Sequence, residues 1–363
     1  MTRLLPLLFL FAVSLPLAAM AEEPKTVLIQ ETGPNNPRNS EGAFVTLKDG
    51  SILYIYTRFQ GKHHGDDALG FLASCVSKDH GETWEETDEP LVPKTGKEND
   101  MSVSLLRLQD GRIALFYLVK NSIKDCRLAM RTSSDEGATW SQPVDCMPGE
   151  DNYFVVNNDR IIQTKSGRLI APAAVHMRDD KWQGAADMVC FVSDDAGKTW
   201  RRGKQTFAAH DENGRRIVTQ EPGVVELKDG RILFWIRADV KAQLYAYSDD
   251  DGETFTKPQK WNFASPLAPA SIKRIPSTGD LLLIWNDNPG RQRSPLSVAV
   301  SSDEGQTWTH QKTLEGNPNG WFCYTAIHFD GDDVLISYWD MSKGGIATKV
   351  NKFGLDWIYD QEK

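Results

Sequence analysis

The chain has 363 residues, of which 40% are hydrophobic and 25% are charged, with 41 basic and 50 acidic side chains and a formal net charge of −9. This acidic balance disfavours nucleic acid and anionic membrane surfaces as general partners, although it does not exclude a local basic pocket. The length is sufficient for one large β domain.

The first 21 residues have the pattern of a secretory signal peptide. Arg3 precedes an apolar run over residues 4–17, and a small-x-small cleavage site follows at residues 19–21. The apolar run is too short to span a bilayer and is followed by polar sequence. We therefore expect a secreted or periplasmic protein whose mature chain, residues 22–363, does not insert into a membrane.

An eight-residue pattern, S-x-D-x-G-x-T-[WF], recurs five times along the chain. The copies are 53 to 60 residues apart and begin at Ser77, Ser133, Ser193, Ser248 and Ser301. A regular period of this size indicates a repeat architecture. In each copy, which we call an Asp box, the aspartate can cap a tight turn and the glycine can adopt a positive φ. We interpret the Asp boxes as structural turns rather than as catalytic or metal sites.

Six hairpin-like pairs of apolar runs also occur in chain order. Their turns contain Gly50, Gly111, Gly167, Gly230, Gly279 and Gly331, as in "GVVELKDGRILFWIR". Each pair is followed by further strand-like sequence, which predicts six four-stranded blades. The expected fold is therefore all-β, a six-bladed β-propeller with five Asp-box turns, in which residues 27–30 close the ring against the last blade.

The five cysteines are odd in number and include no C-x-x-C pair, which disfavours a disulfide framework or a zinc site. Pairing of Cys126 with Cys146 stays open, and buried free thiols are the alternative.

The propeller interpretation divides the polar residues between two faces. If the strands of a blade run alternately up and down, the glycine hairpins and the Asp boxes share one face. Residues before the first strand and after the second then lie on the opposite face. The candidate residues there are Arg38, Arg58, His64, Asp66, Asp67, Asn158, Asp159, Arg160, His176, Glu221, Arg237, Arg293 and Tyr324. Arginines that converge near one axis suit a planar anion such as a carboxylate, although each residue alone could be an ordinary loop charge.

The Asp boxes, the hairpins and these candidates resemble the sialidases (neuraminidases) and the wider BNR-repeat glycoside hydrolases over nearly all of the mature chain. "EPGVVELKDGRILFWIR" resembles the sialidase stretch with a glutamate and an arginine, which implies Glu221 and Arg237. "NDNPGRQRSPLSVAVSSDEGQTW" resembles the stretch with an arginine before an Asp box, which implies Arg293. "CYTAIHFDGDDVLISYW" resembles the stretch of the tyrosine nucleophile, which implies Tyr324.

Blade one departs from the family pattern. Sialidases usually begin it with Arg-Ile-Pro, but "RNSEGAFV" puts Ser40 at the arginine position and Arg38 two residues away. Either Arg38, Arg58 or Arg160 completes the arginine cluster, or the substrate is not an ordinary sialoside. Asn158, Asp159 and His176 then either shape specificity or connect blades by hydrogen bonds.

The resemblance implies a retaining exo-glycosidase for a terminal acidic sugar on a glycan or glycoconjugate. Tyr324 would be the nucleophile, Glu221 its base, and Asp66 or Asp67 the acid/base, with no metal or organic cofactor. A neutral tyrosine avoids repulsion by the carboxylate that a sialic acid carries at its anomeric carbon. Two alternatives stay open: a carbohydrate-binding propeller without catalysis, and a hydrolase or lyase for another acidic sugar such as a uronate.

Overall fold

The computed structural model describes residues 21–87 and 89–360, so the predicted signal peptide lies outside the described residues except for Ala21. The described chain forms 25 β-strands and one short helix. Within this part of the chain, no helix is long and apolar enough to cross a membrane.

The first three blades contain strands 2 to 14 in chain order, after an initial strand β1 (Lys25–Gln30) that joins the last blade. Blade 1 contains β2 (Asn39–Thr46), β3 (Ile52–Phe59), β4 (Gly70–Ser77) and β5 (Glu85–Thr87). Blade 2 contains β6 (Asn99–Arg107), β7 (Ile113–Ser122), β8 (Asp125–Ser133) and β9 (Val144–Asp145). Blade 3 contains β10 (Phe154–Val155), β11 (Ile162–Gln163), β12 (Leu169–Arg178), β13 (Lys181–Ser193) and β14 (Arg201–Arg202).

The remaining blades follow the same antiparallel order. Blade 4 contains β15 (Thr219–Glu226), β16 (Ile232–Ala238), β17 (Leu244–Ser248) and β18 (Gln259–Lys260). Blade 5 contains β19 (Ser271–Arg274), β20 (Leu281–Asn286), β21 (Leu296–Ser301) and β22 (Thr309–Glu315). Blade 6 contains β23 (Phe322–Asp330), β24 (Asp333–Asp340) and β25 (Ala347–Gly354), and helix α1 (Leu355–Tyr359) follows it.

The six-bladed propeller predicted from the repeats is confirmed. Strand β1 pairs with β25, with Gln30 opposite Thr348, so the N-terminal strand completes blade 6 and closes the ring. Closure of this kind covers the sheet edges that an open array would expose. Buried apolar side chains fill the space between neighbouring blades, whereas several bulged strand starts carry polar residues.

The Asp boxes are turns between the last two strands of a blade, and the second box also contacts the neighbouring blade. In the second box, the Asp135 carboxylate accepts hydrogen bonds from the Thr139 amide at 2.9 Å and from the Ser133 hydroxyl at 2.8 Å. The adjacent Glu136 forms an ion pair with Arg107 at 2.6 Å and accepts a hydrogen bond from the Lys48 amide in the first hairpin turn of blade 1. The glycine hairpins and the Asp boxes therefore share one face, as the alternating strand directions predicted.

The five cysteines all lie in the described chain, where each is a buried free thiol. Cys126 and Cys146, whose pairing the sequence left open, are not joined in a disulfide.

Candidate active site

Four blades begin with a bulged residue in the left-handed backbone region. Glu41, Ser102, Glu221 and Tyr324 have φ values of 58°, 60°, 41° and 58°, and each lies at a register shift in its strand pair. A bulge redirects the side chain, and a non-glycine residue with positive φ costs about 1–3 kcal/mol, a type of strain that is concentrated at functional sites. The bulges allow these side chains to meet across blades at the face opposite the Asp boxes.

Tyr324 of blade 6 and Glu221 of blade 4 form a direct pair. The Tyr324 hydroxyl donates to Glu221 Oε1 at 2.9 Å, and Arg237 Nη1 donates to Glu221 Oε2 at 2.5 Å. Burial opposes ionisation of Glu221, but Arg237 and Arg293 outweigh burial and lower its pKa. Burial and the neighbouring Glu221 carboxylate raise the pKa of Tyr324, so this hydroxyl is neutral and its acceptor is ionised.

Arg293 approaches the same tyrosine from blade 5. Its guanidinium lies 5.6 Å from the Tyr324 ring centroid and 5.3 Å from that of Trp321, and Nη1 contacts Cys323 Sγ at 2.7 Å. Burial raises the pKa of the Cys323 thiol to about 12, although Arg293 opposes the shift. Arg237 and Arg293 thus place two guanidinium groups beside one tyrosine.

Arg38 supplies a third guanidinium, at a position that differs from the family motif. Its Nη1 donates to Asp66 Oδ1 at 2.7 Å, its Nη2 to Glu41 Oε1 at 2.8 Å, and its Nε to the Ser40 hydroxyl at 2.7 Å. The guanidinium also lies 5.2 Å from the ring centroid of Trp339, which packs edge-on against Tyr324 at 4.3 Å. Arg38 therefore reaches the tyrosine pocket from a position two residues before the aligned serine.

The acidic loop of blade 1 brings Asp66, but not Asp67, to this arginine. The Asp66 carbonyl accepts hydrogen bonds from Asn99 Nδ2 and Lys120 Nζ, which hold the loop. Burial raises the pKa of Asp66, but Arg38 outweighs burial and lowers it overall. The Asp67 side chain is 73% exposed and lies 3.8 Å from His63.

The other predicted residues have different surroundings. His64 contributes its backbone carbonyl to Arg38 Nη1 at 3.3 Å, and its side chain is exposed. Asn158 Nδ2 donates to the carbonyls of Gly42 and Tyr324 at 3.0 and 3.2 Å, so it connects the bulges of blades 1 and 6. Asp159 forms an ion pair with Lys273 at 2.9 Å and accepts from the Ile327 amide, again between blades.

Arg160 and Arg58 do not take the place of Arg38 in the cluster. Arg160 is fully buried, donates to the Ala270 carbonyl at 2.7 Å and lies over the Trp235 ring, and burial lowers its pKa to about 10. Arg58 is half-buried at the end of β3, opposite Asn39.

His176 lies near the end of β12 in blade 3. Its Nδ1 lies 2.8 Å from the Gln183 carbonyl, and its ring stacks on the exposed Trp182 at 4.9 Å. Burial lowers its pKa, which keeps the imidazole neutral near neutral pH.

Glu41 lies before the first strand of blade 1 on the predicted site face, but the sequence-based assignment gave it no catalytic or binding role. Its Oε2 accepts a hydrogen bond from the Ser102 hydroxyl at 3.1 Å, and its Oε1 is held by Arg38. Burial raises its pKa to about 7, with Arg38 opposing the shift. The available signal was positional, because Glu41, Glu221 and Tyr324 all stand at the start of the first strand of a blade.

The described residues contain no group of three or more histidine, cysteine, aspartate or glutamate side chains arranged to hold a metal ion.

The fold and this site define an Asp-box propeller with a tyrosine–glutamate pair among arginines at its centre. Residues 91–336 match the family model of the BNR repeat-like domain, and the chain belongs to this family within the sialidase/BNR superfamily. The predicted family relationship is thereby confirmed.

Individual relatives agree with this classification. The chain is 28% identical over 360 residues to the sialidase of Micromonospora viridifaciens, a match that covers 87% of this chain and 51% of that protein. The chain thus spans about half the length of this curated relative.

Two solved structures share the fold at low identity. One is a protein of unknown function from Dyadobacter fermentans, with a TM-score of 0.71, 20% identity, and coverage of 91% of this chain and 99% of that chain. The other is the leech intramolecular trans-sialidase complexed with 2,7-anhydro-Neu5Ac, with a TM-score of 0.72, 14% identity, and coverage of 93% and 71%.

Proposed function

We propose that this protein is a retaining exo-glycosidase of the sialidase type that hydrolyses a terminal acidic sugar, either a sialic acid or a related sugar, from a glycan or glycoconjugate. The observation that carries the proposal is the 2.9 Å hydrogen bond from the Tyr324 hydroxyl to Glu221, with Arg237 and Arg293 beside it. The similarity to a protein named as a sialidase supports the choice of sugar.

In the first step, Arg237 and Arg293 hold the substrate carboxylate through planar, charge-assisted hydrogen bonds. The Tyr324 oxygen forms a bond to the anomeric carbon as the bond to the leaving oxygen breaks. Glu221 accepts the tyrosine proton. Asp66, whose pKa is lowered in the resting site, must first take up a proton, which it then donates to the leaving oxygen. Because the resting tyrosine is neutral, it approaches an anionic sugar without charge repulsion.

In the second step, Asp66 removes a proton from a water molecule that attacks the anomeric carbon. The bond to Tyr324 breaks, and Glu221 returns the proton to the phenolate. Two displacements on opposite faces give retention of the anomeric configuration. Ionised Glu221 and neutral Tyr324, the resting states that their shifted pKa values favour, are the states that this sequence requires.

One observation favours a second candidate, a protein that binds an acidic sugar other than an ordinary sialoside with or without cleaving it. The fork of Arg38 is already occupied by Glu41 and Asp66, so the third arginine is not free as it stands. A uronate or a related keto-acid sugar would need a different set of hydrogen-bond partners on this side of the pocket, where Arg38 lies.

Assay of the purified protein on a panel of acidic glycosides tests these proposals. Release of sugar with retained anomeric configuration, detected by NMR, together with labelling of Tyr324 by a mechanism-based fluorinated acidic sugar, is the expected result. Binding without turnover across the panel would contradict the glycosidase proposal and favour the binding module.

We also propose that the N-terminal segment directs export and that the mature propeller comprises residues 22–363. The arginine, the apolar run and the small-x-small site within residues 1–21 support this. N-terminal sequencing of protein recovered outside the cytoplasm should begin at Glu22, and retention of residues 1–21 would contradict the cleavage.

A further inference from the structure

The guanidinium of Arg38 donates from all three of its nitrogens to groups of the chain itself. Its three nitrogens donate to Asp66, Glu41 and Ser40 at 2.7, 2.8 and 2.7 Å, and the residue is 3% exposed. Two of these acceptors are carboxylates, which are the chemical group that a free arginine fork in such a pocket would take from a substrate. A bound carboxylate could pair with both Nη atoms of Arg38 only by displacing one of them.

The arginines on the other side of the pocket are less fully occupied. Arg237 gives Nη1 to Glu221, whereas the described hydrogen bonds of Arg293 go to the Cys323 thiol and the Leu267 carbonyl. Neither acceptor of Arg293 is a carboxylate, so its charge is the most available to an incoming anion.

The charges of the cluster balance when every carboxylate is ionised. Three arginines, Arg38, Arg237 and Arg293, face three carboxylates, Glu41, Asp66 and Glu221. An acidic sugar therefore enters a pocket with no excess positive charge. Loss of one negative charge would leave the cluster with a net charge of +1, which favours an anion at close range.

We propose that Glu41 is the specificity-determining residue of this pocket, because it occupies the fork of Arg38. While Glu41 is ionised, the site offers an acidic sugar two arginines. Once Glu41 is neutral, the site offers a third. This inference rests on the proposed acidic-sugar ligand and does not depend on catalysis. Glu41 can act in this way because its bulge directs it toward Arg38, as the 2.8 Å contact shows.

The ionisation of Glu41 depends on four groups from three blades. Arg38 and Asp66 contact each other beside it in blade 1, Ser102 donates to it from β6, and Glu221 acts on it from β15. Burial, Asp66 and Glu221 raise the pKa of Glu41 to about 7, whereas Arg38 and Ser102 oppose the shift. Glu41 is therefore neutral below this pH and ionised above it.

The affinity for a carboxylate sugar should follow the neutral fraction of Glu41. That fraction rises about tenfold between about pH 8 and about pH 6 for a group with this pKa, and apparent affinity scales with the competent fraction. The expected trend is tighter binding at the lower pH.

Calorimetric titration with two probes tests the proposal. One probe is the unsaturated glycal of N-acetylneuraminic acid, and the other is its uncharged methyl ester. The wild-type protein should bind the glycal about tenfold more tightly at about pH 6 than at about pH 8. Glu41→Gln should bind it tightly at both pH values, and the methyl ester should respond to neither change.

Two further variants control the comparison. Glu31→Gln removes the same charge at the end of β1, where Glu31 pairs with Lys343 and is 57% exposed, and it should behave as the wild type does. If Glu41→Gln does not fold, Glu41→Asn replaces it, because asparagine tolerates the positive φ and is one carbon shorter.

A pH-independent affinity of the wild type, or a Glu41 variant that binds the glycal no more tightly at about pH 8, would overturn the proposal. Failure of every variant to bind the glycal would overturn it as well. Absence of hydrolysis together with the expected binding pattern would refute the glycosidase proposal alone.

Discussion

The replacement of Tyr324 by phenylalanine separates a nucleophile from a packed aromatic residue. The change removes one oxygen and leaves the ring against Trp339, 4.3 Å away between ring centroids. Glu221 loses the 2.9 Å hydrogen bond but keeps Arg237 as a partner. Because Glu221 is ionised, the expected loss of stability is about 1.5–3 kcal/mol, equivalent to a fall in Tm of about 2–4 °C.

The expected loss of turnover is much larger. Without the phenolic oxygen no covalent intermediate forms, so kcat should fall by about 10³-fold or more, which corresponds to about 4 kcal/mol in the activation barrier. Initial rates on the best acidic glycoside, measured beside a thermal unfolding curve, give both quantities from one preparation.

Tyr338→Phe is the matched control. The Tyr338 hydroxyl also donates to a partly buried carboxylate, that of Glu315. Tyr338 lies in β24, away from Glu221. Its variant should lose a comparable amount of stability and keep normal turnover. If Tyr324→Phe retained kcat within about tenfold of the wild type, the assignment of the nucleophile would be wrong.

Three further predictions follow from the same structure. Asp135→Ala removes the acceptor for the amide and hydroxyl of Thr139, so it should lower Tm in thermal scans while the folded fraction keeps normal kinetics. Lost activity at a normal Tm would contradict the structural assignment of the Asp boxes. Arg293→Lys keeps the charge but loses the planar fork, so calorimetry should show binding of an acidic sugar weakened by about tenfold or more, and unchanged affinity would refute the role of Arg293. Glu221 must be ionised to act as a base, and its pKa lies below the ordinary 4.5, so its protonation should reduce kcat/KM only below that pH; a Glu221-dependent limb near neutrality would contradict this.

Much of the fold could be predicted because its signals are local. Each Asp box is a turn that its own serine, aspartate, glycine and threonine hold together, as in the contacts of Asp135 with Ser133 and Thr139. Five such turns at a regular period, alternating with hairpins, are sufficient to predict the number of blades and the face on which the turns lie. Family motifs then indicated Tyr324, Glu221, Arg237 and Arg293.

The sequence by itself thus determined the repeat, the closing strand and the residues within recognisable motifs. Only the tertiary structure decided that Arg38 reaches the pocket, that Asp66 rather than Asp67 contacts it, and that Glu41 occupies its fork. The physical reason is that a bulge adds one residue to a strand and redirects the side chains beside it. The position of a residue in a motif then no longer specifies the direction in which its side chain points. The partners of those side chains come from other blades, and their contacts exist only once the ring is closed.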